Sequence, residues 1–237
     1  MKGDRLVVKD EHIAAARRLA EVILPRLGSL PGRLILAIAG ESGSGKSELA
    51  VALRQELFDR GIRAVILQQD DYFRYPPHTN AELRRRDLRH VGPSEVRLDL
   101  LDRHLAEILE GAEEIEKPLV IYEEDLITKE KLDLRRAKVV IVEGTYTSLL
   151  RHVHVRVFID RTYRETKAAR LERAREAQDE FLEKVLEIEH RIISQHKGRA
   201  DLVITRDYRV EPGPATVKAA GAFGHGRPSS GENRSRG

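Results

Sequence analysis

Gly40-Glu41-Ser42-Gly43-Ser44-Gly45-Lys46-Ser47 is the stretch on which the fold of this chain turns. It matches G-x-x-x-x-G-K-[ST] in full, a spacing that carries meaning when a strand precedes it and a helix follows. Both conditions are met, because the six residues 34–39 are apolar and a helical pattern covers 47–60. In such a loop the glycines let the backbone turn so that successive N–H groups face phosphate oxygens, and the helix N-terminus adds its dipole. Lys46 brings a compact positive charge to the β- and γ-phosphates, and Ser47 offers a hydroxyl to Mg²⁺. Gly40, Glu41, Ser42, Gly43, Ser44, Gly45, Lys46 and Ser47 are therefore candidates for holding a nucleoside triphosphate, with Ser47 also a metal ligand.

Outward from the loop, short β-branched runs at 34–39, 64–68, 139–142, 155–159 and 202–205 alternate with helical patterns at 10–24, 47–60, 97–110, 162–177 and 180–196. That alternation predicts an α/β fold of the P-loop NTPase type, a mainly parallel five-stranded sheet flanked by helices. The stretch 118–134 reads as extended pieces able to form a hairpin. Residues 1–210 form one domain in this reading. The last 27 residues hold six of the 17 glycines and three of the nine prolines, so 211–237 is expected to be a disordered tail.

Composition removes other classes. The chain has no cysteine, which excludes disulfides, thiolate-bound metals and a thiol nucleophile. Its longest apolar run, 34–39, falls far short of the about twenty residues that span a bilayer. The N-terminal residues mix both charges without a greasy segment, so a cytoplasmic protein is expected. The tail carries +2 of the net +3, leaving a nearly neutral body; nucleic acid is disfavoured as a partner. Thr128-Lys129-Glu130-Lys131 lacks the Asp of a guanine-reading N/T-K-x-D motif, and no L-S-G-G-Q signature occurs. A compact kinase acting on a small hydroxyl acceptor is what these exclusions leave.

Phosphoryl transfer needs a carboxylate near the acceptor hydroxyl, another near the metal and a cationic cover over the moving group. Asp70 and Asp71 follow the second strand directly, at the edge where parallel sheets bind ligands, and either can serve as base. Glu143 ends the run Val139-Val140-Ile141-Val142 and is placed to hold Mg²⁺. Arg170 and Arg173 lie three apart, hence on one helical face, with Arg175 close behind as a further nucleotide contact. Arg84, Arg85, Arg86 and Arg89 form a denser cluster that binds an anionic substrate or nothing.

Together these stretches resemble the uridine kinase and phosphoribulokinase group of small-molecule kinases, from about Leu34 to Tyr208. Leu67-Gln68-Gln69-Asp70-Asp71-Tyr72-Phe73-Arg74 stands for the family's acceptor segment, Val139-Val140-Ile141-Val142-Glu143-Gly144 for its I-V-E-G strand, and Arg199-Ala200-Asp201-Leu202-Val203-Ile204 for its closing strand. The resemblance implies Asp70 as general base, Glu143 near the metal, and a mobile helical lid over approximately 163–196. Two segments depart from the pattern. Gly92-Pro93-Ser94-Glu95-Val96-Arg97 puts Ser94 and Arg97 where the family's H-P-D-A-F-D has carboxylates, and Tyr122 is displaced by two in the P-x-Y-D-F-x-x-H pattern. The expected activity is transfer from ATP, with Mg²⁺, to a hydroxyl of a small metabolite, in the manner of a uridine or nucleoside kinase. The alternatives are an anionic or sugar-like acceptor, as for phosphoribulokinase, pantothenate or glycerate kinases, and a non-catalytic nucleotide-binding regulator. A homo-oligomer is compatible with the sequence.

Overall fold

The structure is a computed structural model that describes residues 6–173 and 179–223. The main sheet is built from β1 (Leu34–Gly40), β2 (Ala64–Gln68), β5 (Val139–Glu143), β6 (Val155–Ile159), β7 (Leu202–Ile204) and β8 (Val210–Pro212). A separate hairpin joins β3 (Glu114–Ile121) and β4 (Leu126–Asp133). Helices are α1 (Asp10–Leu27), α2 (Lys46–Asp59), α3 (Pro77–Arg86), α4 (Leu98–Leu109), α5 (Lys167–Arg173), α6 (Glu180–Ile193) and α7 (Pro214–Phe223).

The sheet order is β2-β5-β1-β6-β7-β8. Every pairing up to β7 is parallel, and β8 runs antiparallel to β7. β1 is buried along its whole length, because both faces of the sheet are covered; a strand in that position reads as an unbroken apolar run. Leu34, Leu36 and Ile38 share one core with Ala16, Leu19 and Ile23 of α1 and Leu49 and Leu53 of α2. Ile35 and Ala37 belong to the opposite core, with Tyr72, Leu101 and Leu105. Among the described residues no helix is long and apolar enough to cross a membrane.

The five expected strands are the five parallel ones, but a sixth completes the sheet, and it comes from the segment read as a disordered tail. Residues 210–223 form β8 and α7; 224–237 lie outside the described residues. Gly and Pro there are edge chemistry instead of disorder. Pro212 stands on an edge strand, where its missing N–H costs no ladder bond. Gly213 N–H donates to the Asp201 carbonyl at 2.7 Å, so close to residues 200–201 that any Cβ at 213 would collide with the Ala200 carbonyl. The helix expected over 162–177 begins later, at Lys167, because Glu165 ties back to the Thr162 N–H at 2.9 Å and holds a turn ahead of it; residues 174–178 lie outside the described residues.

Candidate active site

Since β1 lies between β5 and β6, the loop Gly40–Ser47 emerges at the carboxyl edge of the sheet's middle. Gly43 (φ 72°) and Gly45 (φ 94°) adopt left-handed conformations that β-carbons resist. A Cβ at Gly43 would also stand 2.7 Å from Arg170 Cγ. Lys46 Nζ donates to the Glu41 carbonyl at 2.8 Å and so lies across its own loop.

Sheet register carries the second strand end to the same place. Glu143 is aligned with Ile38 of β1 and Gln68 of β2, one residue pair before the loop begins. Its Oε1 accepts from Ser47 Oγ at 3.1 Å and from Gln68 Nε2 at 3.3 Å. Burial, with the charge of Asp70 second, pushes the Glu143 carboxyl up to about 7, against the opposing effect of Lys46. The unfolded chain, with Glu143 near its ordinary 4.5, then binds fewer protons than the folded one between pH 4.5 and about 7. Stability from this group is full below pH 4.5 and declines as pH rises through about 7. Glu143→Gln is therefore expected to raise the melting temperature of the ligand-free protein at pH 8 more than at pH 5, measured by thermal unfolding at both.

The adjacent aspartates part company. Both lie in a short 3-10 turn, Gln69–Tyr72. Asp71 points inward, 2% exposed, where its Oδ2 accepts from Lys117 Nζ at 2.7 Å and its Oδ1 from the Val120 N–H at 3.0 Å. It anchors the β3–β4 hairpin. Asp70 lines the cleft beside the loop, together with Lys46, Ser47 and Glu143. Lys117→Met would leave the buried Asp71 charge without its cation, and denaturant titration is expected to show a loss of about 3–5 kcal/mol. Glu130, which also pairs with Lys117 at 2.6 Å, is 39% exposed and can turn to water.

The cleft, about 390 Å³, continues from the loop to an aromatic wall of Phe73, Tyr75, Tyr122 and Phe181. Helix α3 lines the cleft beside that wall with Pro77, His78 and Ala81. Its start is capped from the hairpin turn: Asp125 accepts from the His78 N–H at 2.7 Å and from Thr79 Oγ1 at 2.9 Å, while the His78 and Tyr122 rings lie 5.4 Å apart. The arginine cluster on and after α3 is matched by carboxylates. Arg84 bridges Glu95 and Glu189, Arg85 meets Asp179 at 3.1 Å and covers the Phe181 ring, and Arg89 pairs with Asp87 at 2.7 Å. Arg86 sits 3.8 Å from Glu82. Each arginine of the run thus has a carboxylate partner, and Arg84 and Arg85 also line the cleft.

The segment expected to be a lid meets the loop through four residues, Tyr163, Thr166, Arg170 and His190. Thr166 Oγ1 donates to the Ser42 carbonyl at 2.9 Å. Glu41 accepts from the Tyr163 N–H at 2.7 Å and contacts His190 Nδ1 of α6 at 2.7 Å. Arg170, 6% exposed, packs over Gly43, with its guanidinium donating to Thr166 Oγ1 at 3.0 Å and to the Tyr163 carbonyl. Arg170 is thus beside the loop, held by the lid's own backbone. Arg173 falls in α5 with only its backbone described, and Arg175 lies outside the described residues.

Ser47, Glu143 and Asp70 fit a Mg²⁺ ion of the kind that relies on phosphates and waters for most of its ligands. Burial first, and the nearby Asp70 charge second, raise the Glu143 pKa, and a divalent cation between Glu143 and bound phosphates would offset both. Among the described residues no three His, Asp or Glu side chains gather into an all-protein metal cage, which such an ion does not need.

Residues 35–206 match the model of the phosphoribulokinase / uridine kinase family. The chain belongs to that family. It is therefore one of the ATP-dependent small-molecule kinases, built on their α/β phosphate-loop fold. A uridine kinase from Pasteurella multocida is 31% identical over 192 residues, 75% of this chain and 88% of that protein. A bifunctional alpha-galactosidase/sucrose kinase from Mediterraneibacter gnavus is 29% identical over 194 residues; the match spans 76% of this chain but 21% of that protein. Among solved structures, a possible uridine kinase from Bacillus stearothermophilus superposes with a TM-score of 0.58 at 23% identity, covering 80% of this chain and 97% of the other. At that identity it speaks for the fold.

Several lining residues escape a sequence reading. Tyr75 reaches the cleft from the loop before α3, His78 from that helix, which the sequence reading lacks, and Phe181 from α6. Pro77 at the first turn of α3 was the available signal, since proline suits a helix start. Nothing local marks Glu41 as the loop's link to Tyr163 and His190, which lie 122 and 149 positions away.

Proposed function

We propose that the chain transfers the γ-phosphoryl group of ATP to a hydroxyl of a neutral small metabolite, a nucleoside first, with Asp70 as general base. The observation that carries this is the single cleft in which Asp70, Lys46, Ser47 and Glu143 face an aromatic wall. In the proposed mechanism the loop amides and Lys46 hold the β- and γ-phosphates, and Asp70 takes the acceptor's proton as its oxygen attacks phosphorus. Ser47 and Glu143 would hold Mg²⁺, which supplies charge neutralisation on the phosphates. Closure of the lid, residues 163–196, brings Arg170 and Arg173 toward the transferring group and excludes water that would otherwise compete as acceptor. Arg175 belongs to the same cover.

The nucleoside reading draws support from the aromatic side chains, which suit a planar base, and from the relatives named uridine kinases. A neutral sugar is the second reading. It is favoured by the absence of carboxylates at Ser94 and Arg97 and by the relative named a sucrose kinase. The pairing of Arg84, Arg85, Arg86 and Arg89 weighs against an anionic acceptor. The test is ADP release from MgATP with a panel of nucleosides, neutral sugars, sugar phosphates and hydroxy acids. Acceptor-dependent ADP with a nucleoside is the expected result; turnover confined to the phosphorylated or carboxylated acceptors would overturn the neutral-acceptor reading.

A further inference from the structure

The loop's far side is held by residues outside the family-matched segment 35–206. Tyr208, just after β7, and His12, near the start of α1, both close on the loop at Gly45. A Cβ there would collide with the Tyr208 hydroxyl and lie 2.9 Å from His12 Nε2. Both residues are buried, His12 at 5% exposure and Tyr208 at 6%.

Hydrogen bonding fixes where each proton sits. The Lys9 N–H donates to His12 Nδ1 at 3.0 Å, so that nitrogen presents its lone pair and the neutral ring carries its proton on Nε2. Nε2 is 3.0 Å from the Tyr208 hydroxyl oxygen and donates to it. Arg161 Nη1 donates to the same oxygen from 2.8 Å. With the oxygen accepting twice, the one phenolic proton is directed to the remaining neighbour, the Ser44 carbonyl at 3.1 Å. Burial lowers the His12 pKa, an effect opposed by Glu48 of α2 and Glu11 and reinforced by Arg161 and Lys9; the neutral ring is consistent with it.

A carbonyl held on the Tyr208 side sets its whole peptide. Because the unit is planar and trans, the Gly45 N–H points away from Tyr208. We infer that Tyr208 is a positioning residue for the phosphate loop, and that His12, from a helix preceding the family segment, directs its hydroxyl proton so that Gly45 N–H is presented to nucleotide phosphate. The inference rests on the proposed use of this loop.

Calorimetric binding of MgADP to the full chain tests it and needs no acceptor. Tyr208→Phe keeps the ring and removes the hydroxyl, and is expected to weaken MgADP about tenfold, the scale of one well-placed hydrogen bond. His12→Phe should produce a smaller loss, because the Tyr208 oxygen is then held by the Arg161 donor alone and its bond to the Ser44 carbonyl is less firmly directed. His12→Gln, whose amide can still donate to Tyr208, should recover most of it. A packing role alone would make affinity follow melting temperature and would not separate the Phe and Gln variants. Undiminished binding by Tyr208→Phe overturns the inference; if that variant does not fold, equal affinities for His12→Phe and His12→Gln do so. A parent protein that binds no MgADP overturns the nucleotide reading itself, and the inference with it.

Discussion

Asp70→Asn is expected to lower kcat by roughly 10² to 10⁴-fold, the range for loss of a positioned general base, with MgADP affinity close to the parent's. Of the two adjacent carboxylates, Asp70 is the one proposed for this role, because it lines the cleft. Asp71 is occupied by Lys117 and the Val120 N–H, and using it as a base would break the anchor of the hairpin. Asp70 instead lines the cleft with Lys46, Ser47 and Glu143. Asn keeps the shape and cannot take the proton. Initial rates at saturating ATP and acceptor measure the effect, and an unchanged kcat would remove Asp70 from the mechanism. A second readout is independent of turnover. The Asp70 charge helps to hold the Glu143 pKa near 7, so Asp70→Asn should flatten the decline in ligand-free stability as pH rises toward 8.

The parts of this site that sequence makes legible are those where backbone conformation demands a residue type. Gly43 and Gly45 need left-handed φ, Lys46 and Ser47 open the helix behind them, and the buried runs of β1 and β5 fix where the loop and Glu143 emerge. Such constraints are local and leave a pattern. The aromatic wall leaves none, because Phe73, Tyr122 and Phe181 come from the loop after β2, the hairpin turn and α6, not from spacing along the chain. Charge runs mislead in the same way. Arg84 and Arg85 read as part of a basic patch because their partners Glu95, Glu189 and Asp179 are on other elements. The C-terminal segment misleads through averaging. Gly and Pro content was counted over 27 residues, whereas Pro212 and Gly213 belong to an edge strand and a close backbone approach.

Lys46→Ala is the other variant expected to have a large effect, a fall in kcat/KM of roughly 10² to 10³-fold or more, as for removal of one preorganised charge from a transition state. The ammonium now donates to the Glu41 carbonyl at 2.8 Å, within a cleft whose other polar groups include two carboxylates. Phosphate arriving at the loop offers Nζ a stronger, charge-assisted partner, so the bond to Glu41 is exchanged and the lysine's charge moves with the group being transferred. Alanine removes that charge and, from the resting protein, the charge-assisted bond to the Glu41 carbonyl, so unfolding free energy should fall by about 1.5–3 kcal/mol, well short of unfolding the chain. Arg in its place should not restore the rate, since a planar fork does not reproduce a compact charge on a flexible stem. Kinetics of the two variants beside their denaturant titrations separate the effects. Parent-like turnover by a folded Lys46→Ala protein would count against the loop's part in the chemistry, since Arg170, the cation described beside Gly43, donates to Thr166 and the Tyr163 carbonyl.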